Sequence, residues 1–283
     1  DNSNGTITVI TTNVEDNQTL TLLLNDRTYT GSISNNSTTI TISSARLQEL
    51  VDGTAYTITT NVSDVAGNAA AQVSTTFTTN TTAPSINSIT PSWGSHLNST
   101  EDNSSGTVTV VTSNVEDGQT LTITLNETNY TGSISSNSVV ITISASDLQA
   151  LSEGTNTITA NVSDSAGNAA SQSSTTFTYD KTSPSITITS STVSSGDTSS
   201  DSIISLTFTT NESTTNFVVE DITISGGTLS DFTGSGTIYT AILTPSGDAT
   251  YTISVGEGTF TDLAGNNNIA SVSYTHLTLP TTR

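Results

Sequence analysis

The chain has no cysteine and no methionine, and among its 283 residues there are five prolines, two histidines, one tryptophan and four basic side chains. Without cysteine there is no disulfide framework, so each folded unit must be held by its core or by a metal. Four basic residues against 25 acids, a formal charge of -21, exclude a nucleic-acid backbone as the natural partner, because that contact runs on Lys and Arg. An acidic membrane surface is excluded on the same ground. No apolar run approaches the roughly 18 residues that a membrane-crossing helix needs, so no direct membrane insertion is expected. The opening "DNSNG" carries neither an initiator Met nor a signal peptide, and it reads as the start of a processed chain or of an excerpt.

What fills the sequence is Thr, Ser and Asn in alternation with Val and Ile, residues that suit pleated surfaces better than helices. The alternation belongs to a longer period. "DNSNGTITVITTNVEDNQTLTLLLN" from Asp1 falls on "DNSSGTVTVVTSNVEDGQTLTITLN" from Asp102, an offset of 101 residues that drops to 100 after a one-residue deletion near Asn156. Residues 184–275 are a diverged third copy, marked by "SPSITI", "TTNES" and "TDLAGNNNIASVSY". Such self-similarity means tandem copies of one unit. The expected division is 1–82, 83–182 and 183–275, followed by a non-repeat tail, 276–283, "HLTLPTTR".

Within the second unit, Val108, Val110, Leu121, Ile123, Leu125, Tyr130, Ile134, Val139, Ile141, Ile143, Ile158, Val162 and Phe177 recur at period 2, the pattern of strands with one face in a core and one in water. About seven short strands per unit, separated by turn residues, predict an all-β fold: tandem immunoglobulin-like antiparallel β-sandwiches of Greek-key topology, arranged end to end. A helical turn is expected at "SASDLQAL", with Ser144 and Asp147 as a capping box. The second and third units open with a strand after Pro84 or Pro184, and the first unit has no equivalent. Three readings stay open: the chain is cut from a longer array, another chain supplies the strand across an open edge, or the unit tolerates its absence.

One phrase recurs in all three units: "DVAGN" from Asp64, "DSAGN" from Asp164 and "DLAGN" from Asp262. As a turn it explains itself: the Asp accepts backbone N–H bonds two residues on, the Gly takes positive φ, the Asn tolerates the same region, and the Ala tucks under the loop. The Asp invites more. In a seven-strand sandwich this loop lies at the same end as the loop carrying Glu15 and Asp16, Glu116 and Asp117, or Glu212 in the three units. That pole faces the preceding unit, which presents Glu49 and Asp52 at the first junction and Glu101, Asp102 and Glu153 at the second; the second linker adds Asp180. Like charges so gathered repel unless a cation neutralises them. Oxygen ligands without Cys or clustered His point to a hard cation, and an extracellular setting points to calcium. The competing reading is a solvated acidic rim that keeps a surface protein soluble.

The stretches "NVEDGQTLTITLN", "ISASDLQALSEGTNTITANVSDSAGNAASQSSTTFTYDKTSPSI" and "VEDITISGGTLSDFTGSGTIYTAIL…TDLAGN" resemble the bacterial immunoglobulin-like domains of very large repetitive surface adhesins, including biofilm-associated and calcium-stiffened ice-binding or host-binding types. The resemblance runs up to Thr275. It implies an extender between a cell-anchored end and a distal binding module, with calcium at the junctions. The acids that match that role are Asp64, Asp164, Asp262 and the linker Asp180. The first linker has Asn80 where the second has Asp180, which weakens the case for calcium at the first junction.

Enzymatic chemistry finds no support. His96 and His276 are far apart, and neither has a Cys or an acid at metal-ligand spacing. There is no Gly-x-Ser-x-Gly elbow, and no phosphate-cradling glycine loop precedes a helix. Trp93 is read as packing its loop against the sandwich edge. The sequence therefore predicts a non-enzymatic, extracellular cell-surface spacer whose partners are its neighbouring units and other copies in a fibre. The alternative is a filament subunit assembled by strand donation to the incomplete first unit.

Overall fold

The computed structural model describes residues 3–278. The first unit contains β1 (Gly5–Ile10), β2 (Thr19–Leu24), β3 (Arg27–Ser32), β4 (Ser37–Ile42), β5 (Ala55–Asn61) and β6 (Val73–Thr78). The second contains β7 (Ser85–Pro91), β8 (His96–Asn98), β9 (Gly106–Ser113), β10 (Thr120–Leu125), β11 (Thr128–Ser133), β12 (Ser138–Ile143), β13 (Gly154–Asn161) and β14 (Ser173–Asp180). The third contains β15 (Ile186–Ser190), β16 (Thr198–Ser199), β17 (Ile204–Thr214), β18 (Ile222–Ile224), β19 (Thr228–Thr244), β20 (Thr250–Val255) and β21 (Tyr274–Thr278).

The second unit shows the plan most fully. One sheet runs β12-β9-β7 and the facing sheet β11-β10-β13-β14-β8. All pairs are antiparallel except β8 against β14. The period-2 pattern decides the packing: Val108, Val110, Leu121, Ile123, Ile143 and Ile158 are fully buried between the sheets, and the Thr residues between them face outward. Tyr130 is the exception, only partly buried at the margin of the core. Trp93 packs edge-on to Phe177 with ring centroids 5.2 Å apart. It does so over Gly106, where a Cβ would lie 2.5 Å from its ring. The helical turn is present over Ala145–Gln149, with the Ser144 hydroxyl accepting from the Asp147 N–H and Leu148 buried beneath it.

The hairpins turn on paired left-handed residues that the sequence does not announce with glycine. Asn25 and Asp26 have φ of 48° and 56°, and Asn126 and Glu127 have 47° and 62°. Two consecutive positive φ values match the twist of the flanking strands.

The first unit keeps the four-stranded sheet β3-β2-β5-β6, but its second sheet is β1-β4 alone. Ile7, Val9, Leu47 and Phe77 are consequently half-buried, whereas Val108, Val110, Leu148 and Phe177 in the same places of the second unit are sealed. Each unit has its own apolar cluster. In the third, β21 pairs with β20, placing His276 opposite Tyr251 and Leu277 opposite Thr250. The sheet therefore continues past Thr275, where the repeat was expected to stop, because Tyr274 and His276 alternate inward with the strand. Residues 279–283 of the expected tail lie outside the described residues.

Candidate functional site

The loop "DSAGN" is built on Asp164, whose Oδ1 accepts the Asn168 N–H at 2.7 Å and whose Oδ2 accepts the Asn168 side-chain amide at 2.8 Å. Asp64 with Asn68 and Asp262 with Asn266 repeat both bonds. The glycines take the left-handed conformation, with φ of 88°, 90° and 92° at Gly67, Gly167 and Gly265, as a residue without Cβ does freely.

The asparagines do not share that conformation. They stay out of the positive-φ region. The Asn168 amide also donates to Asn80 O of the preceding unit at 3.0 Å, and that of Asn266 to Asp180 O at 2.8 Å. The bond from the residue four places on closes the loop, and the backbone N–H groups of Ala66 and Ala166, two places on, also favour the ionised Asp64 and Asp164. Ala66 and Ala166 are exposed rather than tucked in. Only Ala264 is covered, where its carbonyl accepts the Asn98 side-chain amide at 2.9 Å.

The two acidic loops of each unit meet as the topology requires. Glu15 accepts the Val65 N–H at 3.1 Å and Glu116 the Ser165 N–H at 2.8 Å. That bond holds Glu116 below its ordinary value. Asp117 is occupied by the Ser136 N–H at 2.7 Å. Both acids belong to the pole of the second unit that faces the first.

The two junctions then diverge. At the first, Asn80 donates its side-chain amide to Asp164 Oδ2 at 3.0 Å. Burial pushes the Asp164 carboxyl up, but the side-chain and backbone N–H groups of Asn168 outweigh it and leave the group below its ordinary value. At the second, Asp180, Glu212 and Asp262 bring carboxylate oxygens to within 4.8 Å of one another, so that one metal ion could be held among them. They come from the linker end of β14, from β17 and from the "DLAGN" loop. Asp262 is buried; Asp180 and Glu212 are half-buried. Burial, and then the neighbouring carboxylates, raise Asp180 and Glu212 above their ordinary values. Glu153 contributes to both repulsions, although its own Oε1 braces the linker by accepting from Lys181 N at 3.1 Å and Thr182 Oγ1 at 3.0 Å. Asp52 does the same for the first linker through Thr81 and Thr82.

Asp102 and Glu101, expected to face this junction as ligands, have other roles. Asp102 is turned into its own unit, where it is buried and accepts the Tyr179 hydroxyl at 2.6 Å. Burial and this acceptor push the Tyr179 phenol up to about 12. Glu101 accepts the Asn98 N–H at 3.2 Å. Among the described residues, Asp180, Glu212 and Asp262 form the one group of three or more acids, histidines or cysteines placed to share an ion.

Sequence reasoning missed Asn98 and Ser99. They clasp the third unit: besides the Asn98 bond to Ala264 O, Ser99 donates both its N–H, at 3.0 Å, and its hydroxyl, at 2.8 Å, to Asn266 Oδ1. Their signal is faint, because they lie 166 and 167 residues from their partners.

Residues 180–278 match the family model described as a bacterial Ig-like domain. No curated protein matches the chain. Among solved structures, a Ca2+-stabilized adhesin that helps an Antarctic bacterium reach out and bind ice aligns at 19% identity over 99% of this chain and 69% of that one, with a TM-score of 0.44. A structure from a 1.5-MDa bacterial ice-binding adhesin aligns at 19% identity over 98% of this chain and 91% of that one, with a TM-score of 0.45. A tetra-tandem repeat from the extending region of a large adhesion protein aligns at 19% identity over 98% and 70%, with a TM-score of 0.31.

Proposed function

We propose that the chain is a non-enzymatic extender of a bacterial extracellular adhesin, a series of Ig-like units at the cell surface whose second junction is stiffened by calcium. The observation that carries the reading is the meeting of Asp180, Glu212 and Asp262 between two units. Three carboxylates in partial burial repel one another, and a divalent cation reverses the sign of that interaction. Oxygen-only ligands fit calcium, which accepts flexible carboxylate and carbonyl coordination, better than a metal that wants His or Cys. A bound ion would tie the linker to β17 and to the "DLAGN" loop of the third unit and so limit bending at that joint. The bacterial Ig-like match over residues 180–278 and the tandem repetition support the spacer role.

The test is melting temperature and scattering-derived maximum length, with calcium and then with chelator. Binding only the folded form stabilises by RT ln(1 + [L]/Kd), about 2.7 kcal/mol at a hundredfold excess over Kd. Calcium should raise the melting point and lengthen or narrow the conformational distribution; no change in either would sink the calcium reading. The open face of the first unit favours a second reading, a fibre subunit completed by a strand from another copy. Monomeric behaviour at high concentration would remove it.

A further inference from the structure

Asp102 is buried like Asp164 and Asp262, yet it lies outside the repeated loops and bonds within its own unit, to the Tyr179 hydroxyl. A buried carboxylate costs more to desolvate than a neutral acceptor, and a hydroxyl at this place can do without one. Thr79, in the same place of the first unit, donates to the carbonyls of Val51 and Thr54. What Asp102 adds is the strength of a charged acceptor and its position in the chain.

That position is a 3-10 turn, Glu101–Asn103, which follows β8 and the Asn98–Ser99 clasp. The segment is closed on itself. Asn98 Oδ1 accepts the N–H groups of Thr100 at 2.9 Å and Glu101 at 3.0 Å, the Glu101 carboxylate accepts the Asn98 N–H, and the Asn103 side-chain amide donates to Ser99 O at 2.7 Å. Residues 98–103 are therefore tied into one piece. Asn98 caps the turn with its side-chain oxygen while its amide nitrogen reaches Ala264 O of the third unit. The piece is held to the body of its own unit by the short pairing of β8 with Thr178–Asp180, by an exposed bond from the Gln149 side chain to Asn103 Oδ1 at 3.2 Å, and by the buried bond of Asp102 with Tyr179.

Tyr179 precedes Asp180 and points to the opposite side of β14. Its ring is buried, and the phenol, pushed up to about 12, stays protonated and so remains a donor. The bond closes a ring of contacts that passes through both units. Asn266 donates to Asp180 O and accepts twice from Ser99; Asp180 follows Tyr179, and Asp102 comes three places after Ser99. For Asn266 to engage both partners, Asp180 O and Ser99 must stand at one separation, and the Tyr179–Asp102 bond spans the same gap from inside the second unit. We propose that this bond is a latch: Tyr179 and Asp102 position the second unit's grip on the third by holding Asp180 and the Asn98–Ser99 clasp at the separation that Asn266 spans. They are positioning residues, acting through Asn98, Ser99 and Asp180. The grip then loosens when the latch opens, although the second unit stays folded.

The experiment follows hydrogen exchange by NMR in the full chain, in chelator throughout, so that its outcome stands apart from calcium binding. Tyr179→Phe keeps the ring and deletes the donor. Combined with Asp102→Leu, it also removes the carboxylate that would be left buried and unpaired, and replacing both partners by apolar groups leaves stability nearly unchanged. In this double variant, exchange of the Ser99 N–H and of the Asn266 side-chain amide should speed up on the order of tenfold, while the amides of β10 and β13 keep their protection. Asp102→Asn retains an acceptor for the phenol and should leave Ser99 and Asn266 close to the parent chain. Unchanged exchange at Ser99 and Asn266 in the double variant would overturn the proposal. So would equal acceleration across β10 and β13, which would make the pair a support of the core alone. Should the double variant fold poorly, Asn266→Ala gives the second measurement. Coupling is reciprocal, so releasing the grip should speed exchange of the Tyr179 hydroxyl proton, and an unchanged rate there would count against the latch.

Discussion

Asn80 donates its side-chain amide to Asp164 across 3.0 Å, while the residue in the same place of the next linker, Asp180, sets a second carboxylate against Asp262, with Glu212 alongside. One residue thus separates a hydrogen-bonded joint from a charged one. The backbone frame around the two is shared, since Asn168 and Asn266 each donate to the linker carbonyl at that position.

The contrast can be exchanged. Asp180→Asn should abolish the calcium-dependent rise in melting temperature, a loss of about 2.7 kcal/mol at a hundredfold excess of calcium, and should raise stability in chelator. Asn80→Asp replaces a donor by a second carboxylate at Asp164 and should cost about 1–3 kcal/mol in chelator. Calcium should recover part of that cost. Differential scanning calorimetry of both variants, with and without calcium, checks the pair; a calcium response that survives Asp180→Asn would refute the assignment of the ion to this cluster.

The pH dependence has a defined sign. Asp180 and Glu212 are raised, by burial first and then by their neighbours, above ordinary values of 3.8 and 4.5. The folded state therefore retains protons that the unfolded chain has released. Their contribution to stability is fully present below the ordinary values and is lost as pH rises through the raised ones. Asp64 and Glu116, lowered by hydrogen bonds from Asn68 and Ser165, act oppositely and lose their contribution as pH falls through their lowered values. In chelator, the difference in melting temperature between the chain and its Asp180→Asn variant should vanish near about pH 3.5 and open toward neutrality, the variant being the more stable. A difference that stays constant across this range would contradict the repulsion.

Asn266 is the most heavily used side chain at the second junction. It donates to Asp262 Oδ2 and Asp180 O, and it accepts twice from Ser99. At 2% exposure, its replacement leaves these groups unpaired away from water. Asn266→Ala should cost about 1–3 kcal/mol in urea unfolding, with Asn168→Ala costing less because that site is open.

Gly106→Ala should destabilise the second unit by about 1–3 kcal/mol, since the new methyl meets the Trp93 ring and a well-packed core yields little. Gly5→Ala in the open first unit meets only Leu47 Cδ1, at 3.0 Å, and should be close to neutral. Chemical denaturation of the two variants measures the difference directly.

Much of the fold was legible because its causes are local. The period-2 alternation placed Val108, Ile123 and Ile143 in the core, and the recurring Asp-x-Ala-Gly-Asn phrase marked a turn and gave its glycine the conformation found. What escaped was non-local or hidden by chemical ambiguity. Asp102 looked like a free carboxylate among others until the fold brought the Tyr179 hydroxyl to it from 77 residues away. The asparagine of the phrase looked like a left-handed turn residue, and nothing in a five-residue window shows that the amides of Asn168 and Asn266 cross to the preceding unit.

The sequence by itself determined the repetition, the sandwich class, the acidic poles and the difference between Asn80 and Asp180, since each follows from residue type and spacing. Only the tertiary structure decided which carboxylates meet, because burial and distance depend on how one unit seats on the next. It also turned Asn98 and Ser99 into a clasp, through hydrogen bonds whose partners lie more than 160 residues apart.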